Sequence, residues 1–202
     1  MSGLTLLAAD SSAWSDGRVE AIAQMVGGLL GLLGLGIGLL QYADAQKWKR
    51  SEFAAAQLEL LTKDPELELC CKLLDWAGRV SPVPEKYSAL TSDKQFVHDW
   101  ETMKTAMLPE EATLDVEWTW QHMMYRDLFD RFFGYLDRIN HYISIGLIST
   151  RDVASLDYWL EQIIAPRFAP ARDRQLFVAF LERYGYDGTL ELSRRLVKSR
   201  PK

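Results

Sequence analysis

The chain has 202 residues, a formal net charge of −5 and only two cysteines, Cys70 and Cys71, adjacent to each other. The acidic balance argues against a general nucleic-acid binder, which presents a basic surface. Adjacent cysteines offer no ordinary disulfide framework and complete no zinc pattern, so neither a metal nor another cofactor is expected, and a reducing cytoplasm fits.

Residues 1–20 read as a short leader, in which Asp10, Asp16 and Glu20 outnumber a lone Arg18. A cleaved signal would carry a basic leader and a small-residue cleavage site, and this one does not. Residues 21–43 then carry no charge, and their strongly polar members are Gln24 and Gln41. About 20 helical residues cross the ~30 Å hydrocarbon core, so this stretch is expected to be a single transmembrane helix with the lipid bilayer as its first partner. Lys47, Lys49 and Arg50 follow directly, which by the positive-inside bias places the C-terminal side in the cytoplasm. Trp14 on one side, with Tyr42 and Trp48 on the other, suits the two aromatic belts.

The span holds six glycines. At ~100° per residue Gly27, Gly31, Gly34 and Gly38 share one narrow face, with Gln24 and Gln41 at its ends, while Gly28 and Gly36 lie elsewhere. Such a ridge lets membrane helices approach closely, and the glutamines can hydrogen-bond across the contact. A homo-oligomer formed through this face is the expectation.

Residues 44–63 have no helix breaker and are read as a helical stalk; residues 64–202 are read as a cytoplasmic helical bundle. Asp64 before Pro65 is an N-cap with proline at the first helical position, opening a helix that Gly78 can end. "VSPVPEKYSAL" is a loop. Thr91 or Ser92 is expected to cap "DKQFVHDWETMKTAML", where Phe96, Trp100, Met103 and Met107 fall at helical spacing. The longest signal, over about 117–145, places Tyr125, Leu128, Phe132, Tyr135, Ile139 and Tyr142 on a stripe that Phe129, Phe133, Leu136 and Ile143 widen. That is the pattern of a central helix. Gly146 is placed as its C-cap, and "STRD" from Ser149 reads as a capping box. Further helices are expected over "VASLDYWLEQII", over "RDRQLFVAFLERYG" ending at Gly185, and from a capping Asp187 to about Lys198. No segment alternates like a strand, so the fold class is all-α.

Chemistry is thinly supported. His98, His122 and His141 sit in no metal-protease pattern, and phosphate loops and serine elbows are absent. In "RINH", Arg138 and His141 share a helical face, and such a pair can cleave RNA without a metal, one moving a proton and the other steadying phosphate charge. The run resembles the ribonuclease motif of HEPN domains, although there four to six residues separate Arg from His and here two do. The competing reading is a solvated charge strip with i,i+4 pairs Arg126–Asp130, Asp127–Arg131 and Asp137–His141.

"LLDWAGR", "YRDLFDRFFGYLDRINHYISIGLISTRDVASLDYWLEQI" and "FLERYGYDGTLELSRR" together resemble a widespread group of small bacterial proteins with an N-terminal membrane helix and a cytoplasmic helical domain. The chain is more loosely similar, in size and layout, to the membrane-anchored accessory proteins of RNA-targeting CRISPR systems, which resemble HEPN folds and assemble as a pore. These resemblances imply a bacterial inner-membrane location with the N-terminus outside, and a non-enzymatic domain that binds a cytoplasmic protein partner or oligomerises, in the extreme as a membrane-perturbing defence effector. A membrane-tethered ribonuclease using Arg138 and His141 is the alternative.

Overall fold

The structure is a computed structural model that describes residues 11–75, 78–167 and 169–197, with residues 11–19 and Val197 described by backbone alone. It divides into two units, Met1–Lys49 and Arg50–Lys202. Seven α-helices, four short 3-10 turns and two short strands make up the described secondary structure.

The first unit is helical throughout its described part. Helix α1 runs from Ser11 to Lys63, so the helix begins well before residue 21, where the span was expected to start. No proline interrupts it. Every side chain from Glu20 to Ala45 is exposed, and within Glu20–Lys63 lies a stretch long and apolar enough to cross a membrane.

In the second unit the last part of α1 is not a free stalk. Ala54 and Leu61 are buried, the Phe53 ring meets Tyr142 edge-on at 5.1 Å, and the Tyr135 hydroxyl donates to the Gln57 carbonyl at 2.9 Å. The expected boundary at residue 64 therefore moves to Arg50. Asp64 then caps α2 (Pro65–Asp75) as the Asp-Pro pair predicts, accepting the N–H groups of Glu66 at 3.0 Å and Leu67 at 3.3 Å. Helix α2 buries Leu67, Leu69, Leu73 and Leu74 together with both cysteines. The Cys70 thiol donates to the Leu128 carbonyl at 3.1 Å.

The expectation of no strand is wrong. Strands β1 (Val80–Pro82) and β2 (Gln95–Val97) pair antiparallel, Val80 opposite Val97 and Ser81 opposite Phe96. Ser81 and Phe96 face inward, while Val80 and Val97 face out. The helix expected from Thr91 or Ser92 starts only at α3 (Trp100–Met107), where Asp99 accepts the Thr102 N–H at 2.8 Å. Phe96, Trp100, Met103 and Met107 are all buried, but the first arrives on a strand.

Helix α4 (Trp120–Ser144) packs against α2, α3 and α7. Its buried face carries the expected Tyr125, Leu128, Phe129, Phe132, Phe133, Tyr135, Leu136 and Ile139, with Met124 and Asn140 in addition. Tyr142 and Ile143 are only partly buried. The helix stops as Gly146 predicts: Gly146 has φ +72°, its N–H reaches the Ile143 carbonyl and the Leu147 N–H reaches the Tyr142 carbonyl, the paired bonds of a Schellman motif. The Ser149 N–H and hydroxyl both donate to Asp152 at 2.8 Å, but this closes a turn rather than opening a helix. Helix α5 starts later, at Asp157, and runs to Ile164.

Helix α6 (Leu176–Tyr184) ends at Gly185, left-handed at φ +76°, and α7 (Asp187–Val197) closes the described chain. Phe129 and Phe133 of α4 stack into Phe177 and Phe180 of α6 at ring separations of 5.1 to 6.1 Å. The cap of α7 does not come from Asp187. Asp137 of α4 accepts the Thr189 N–H at 2.6 Å and its hydroxyl at 2.7 Å.

Candidate interaction site

The glycine face lies wholly within α1. Gly27, Gly31, Gly34 and Gly38 fall in one sector of about 60°, and Gln24 and Gln41 flank it. A methyl group added at any of these glycines, or at Gly28 or Gly36, would meet nothing within 4 Å. Packing inside one chain therefore gives no reason for glycine at any of the six positions.

The second sequence candidate, Arg138 with His141, lies on the last turns of α4. Arg138 and His141 are both exposed, while Asn140 between them is buried and donates to Glu191 at 3.0 Å. Neither Arg138 nor His141 lines the concavities described below. Among the described residues no group of three or more His, Cys, Asp or Glu side chains is placed to hold a metal ion.

The charge strip of α4 is not the solvated ladder expected from i,i+4 spacing. Of the three expected pairs the structure shows Arg126–Asp130, at 3.7 Å. Asp127 instead accepts from Lys86 at 2.5 Å and from the Tyr87 hydroxyl at 2.7 Å. Arg131 reaches Asp64 at 2.5 Å and Glu66 at 3.2 Å, and Asp137 is engaged by Thr189. Arg126 donates to the carbonyl of Ala106 at 3.0 Å, at the C-terminal end of α3, where a cation is favoured. Its guanidinium lies 4.5 Å over the Phe180 ring and 4.2 Å over Tyr184. Each partner lies on a different segment of the chain, and local spacing carries no signal of it.

These ties shape the charges. Burial raises the Asp64 carboxyl, but the Arg131 hydrogen bond and the Leu67 and Glu66 N–H groups outweigh it, leaving the group below the ordinary carboxylate value. Asp127 is likewise lowered: burial raises it, and Lys86 and Tyr87 more than offset that. Asp130 goes the other way, raised mainly by burial despite the Tyr186 hydroxyl bonded to it at 3.0 Å. Burial pushes the Cys71 thiol up to about 12 and Cys70 well above its ordinary value, so both are inert thiols, the small-apolar role expected of them.

A concavity of about 1100 Å³ runs between the first turn of α2, strand β1 and Arg131 of α4. Four of its five cations are ion-paired: Lys63 with Glu59, Lys72 with Glu68, Lys86 with Asp127 and Arg131 with Asp64, while Arg79 also lines it. A second concavity of about 480 Å³ lies beside Arg126 and is walled by Leu108, Leu114, Val116, Trp118 and Tyr184. A third, about 340 Å³, is bounded by Leu58, Leu61, Cys71 and Trp159. No family model matches the chain, and no curated protein or solved structure does either.

Proposed function

We propose that the chain is a single-pass membrane protein that self-associates through α1 and presents Arg50–Lys202 in the cytoplasm as a non-enzymatic binding domain. The observation that carries this reading is the run from Ala21 to Ala43, uncharged, helical and with every side chain exposed. Left in water, such a surface far exceeds the apolar patch a soluble monomer tolerates. The glycine ridge supports self-association for a physical reason. Glycine costs ~1 kcal/mol per residue relative to alanine in a helix, and within lipid only close packing and interhelical hydrogen bonds return that cost. Lys47, Lys49 and Arg50 support the cytoplasmic side for the domain. The exposure of both Arg138 and His141 favours binding over RNA cleavage.

Alkaline carbonate washing of membranes, followed by crosslinking of the detergent-purified protein, tests both parts. The protein should stay with the membrane. Gly31→Leu with Gly34→Leu should lower the oligomeric state while Gly28→Leu with Gly36→Leu leaves it largely intact. Release by carbonate would overturn the membrane reading; equal behaviour of the two pairs, or a wild type that is monomeric, would overturn the self-association.

A further inference from the structure

Helix α4 and the last part of α1 run antiparallel. Tyr135 meets Gln57 and, two turns further along α4, Tyr142 meets Phe53, four residues earlier in α1. Continuing that register, the end of α4 comes level with Arg50, where the domain begins. A second observation agrees. Asp152, in the turn beyond α4, sits below the ordinary carboxylate value chiefly because the Ser149 N–H and hydroxyl donate to it, with the Arg50 charge adding to the effect. The turn after α4 and the start of the domain therefore lie at the same end.

That end carries an unexplained apolar tip. Ile145 is 60 % exposed and Leu147 37 % exposed. Leu147 occupies the position where a Schellman motif favours an apolar residue, whereas Ile145 at the cap position has no such role. Around the tip, Arg50 and Arg151 are exposed, and Lys47 and Lys49 immediately precede it in sequence; Asp44 and Glu52 are the exposed acids nearby along α1, and Asp152 is occupied by Ser149. The chain from Ala43 to Arg50 reaches about 10 Å as helix and about 24 Å fully extended. The polar interface on each side of the hydrocarbon is about 5–7 Å thick. On the single-pass reading of α1, a connection this short keeps the start of the domain within about 24 Å of the hydrocarbon.

We infer that the turn Ile145–Leu147, flanked by Arg50 and Arg151, is a second membrane contact, which dips its apolar side chains into the interface and sets its arginines among anionic phospholipid headgroups. This rests on the single-pass reading of α1. The contact would fix the attitude of the domain to the bilayer and keep Arg138 and His141, on the last turns of α4, close to the headgroups rather than open to a large substrate.

The test uses the full chain with Ile145→Cys or, as control, Leu114→Cys, each labelled with an environment-sensitive fluorophore. Leu114 is 75 % exposed and precedes the opposite end of α4, a helix about 37 Å long. Cys70 and Cys71 are buried and do not compete for label. Proteins are reconstituted into vesicles of phosphatidylcholine, with or without phosphatidylglycerol, that carry nitroxide-labelled lipid. The label at 145 should lose fluorescence to the nitroxide and shift to the blue, more so with phosphatidylglycerol, and Arg151→Glu should remove the gain from the anionic lipid. The label at 114 should do neither. A protein retained after carbonate washing whose two labels behave alike overturns the inference and leaves the anchor standing. A gain from phosphatidylglycerol that survives Arg151→Glu combined with Arg50→Glu overturns the headgroup part. Release by carbonate instead overturns the single-pass reading itself.

Discussion

His98 gives the domain an acid-sensitive joint. The ring is almost fully buried, and its Nδ1 lies 2.9 Å from the Tyr125 hydroxyl, which also accepts the Asp99 N–H at 3.2 Å. Burial lowers its pKa to about 4 from 6.5, against a weaker upward pull from Asp99. A base whose folded pKa is depressed binds its proton less readily than the unfolded chain does. Its neutral form is therefore favourable above pH 6.5, and stability is lost as pH falls from 6.5 towards 4. At ~1.4 kcal/mol per unit the full loss is about 3 kcal/mol, and integrating between pH 7 and pH 5 gives about 2 kcal/mol. Urea unfolding of the detergent-solubilised full chain, followed by tryptophan fluorescence at the two pH values, measures this directly. In His98→Gln the pH-dependent loss should shrink by about 2 kcal/mol, whatever the substitution costs at pH 7, because the carboxylates are common to both proteins and cancel. A wild type and variant that lose the same stability between pH 7 and pH 5 would refute the assignment of this joint.

Three further outcomes are expected. Phe132→Ala opens a cavity at a fully buried position beside Phe133 and should cost ~3–5 kcal/mol in the same unfolding assay. Gly188→Ala sets a Cβ 3.0 Å from the Asp137 carboxylate and 3.2 Å from its Cα, so α7 must back away from its cap; a loss of ~1–3 kcal/mol is expected, and none would show that α7 adjusts freely. Cys70 and Cys71 should resist a thiol reagent at pH 8 in the native protein and react only in denaturant; prompt native labelling would contradict their burial and raised pKa.

The parts legible in sequence are those written in a local period. The α4 stripe repeats every three to four residues over about five turns, and the described structure buries most of it. Asp64–Pro65, Gly146 and Gly185 are local backbone signals and each does its expected work. The hairpin was hidden because three residues per strand are too few to alternate, and Pro82 inside β1 speaks against a strand. Phe96 matches a helical period with Trp100 and Met103 by coincidence of spacing, and Asp99, the true cap, lies inside that run. The polar partners of α4 were hidden for another reason. Asp64, Lys86 and Thr189 lie 67, 41 and 52 residues from their partners, and only the folded chain brings them there.

Those partners have a consequence for uniqueness. Apolar burial is non-directional, so a smooth aromatic stripe would accept a neighbouring helix slid by one turn with little change in buried area. Around α4 each neighbour is indexed by one polar tooth: α2 by Arg131, the loop after β1 by Asp127, the end of α3 by Arg126, the α6–α7 turn by Asp130 and α7 by Asp137. A slip of any one of them would strand a carboxylate or a guanidinium away from its partner. The oil of the core makes the elements adhere; these five ratchet stops decide where each comes to rest.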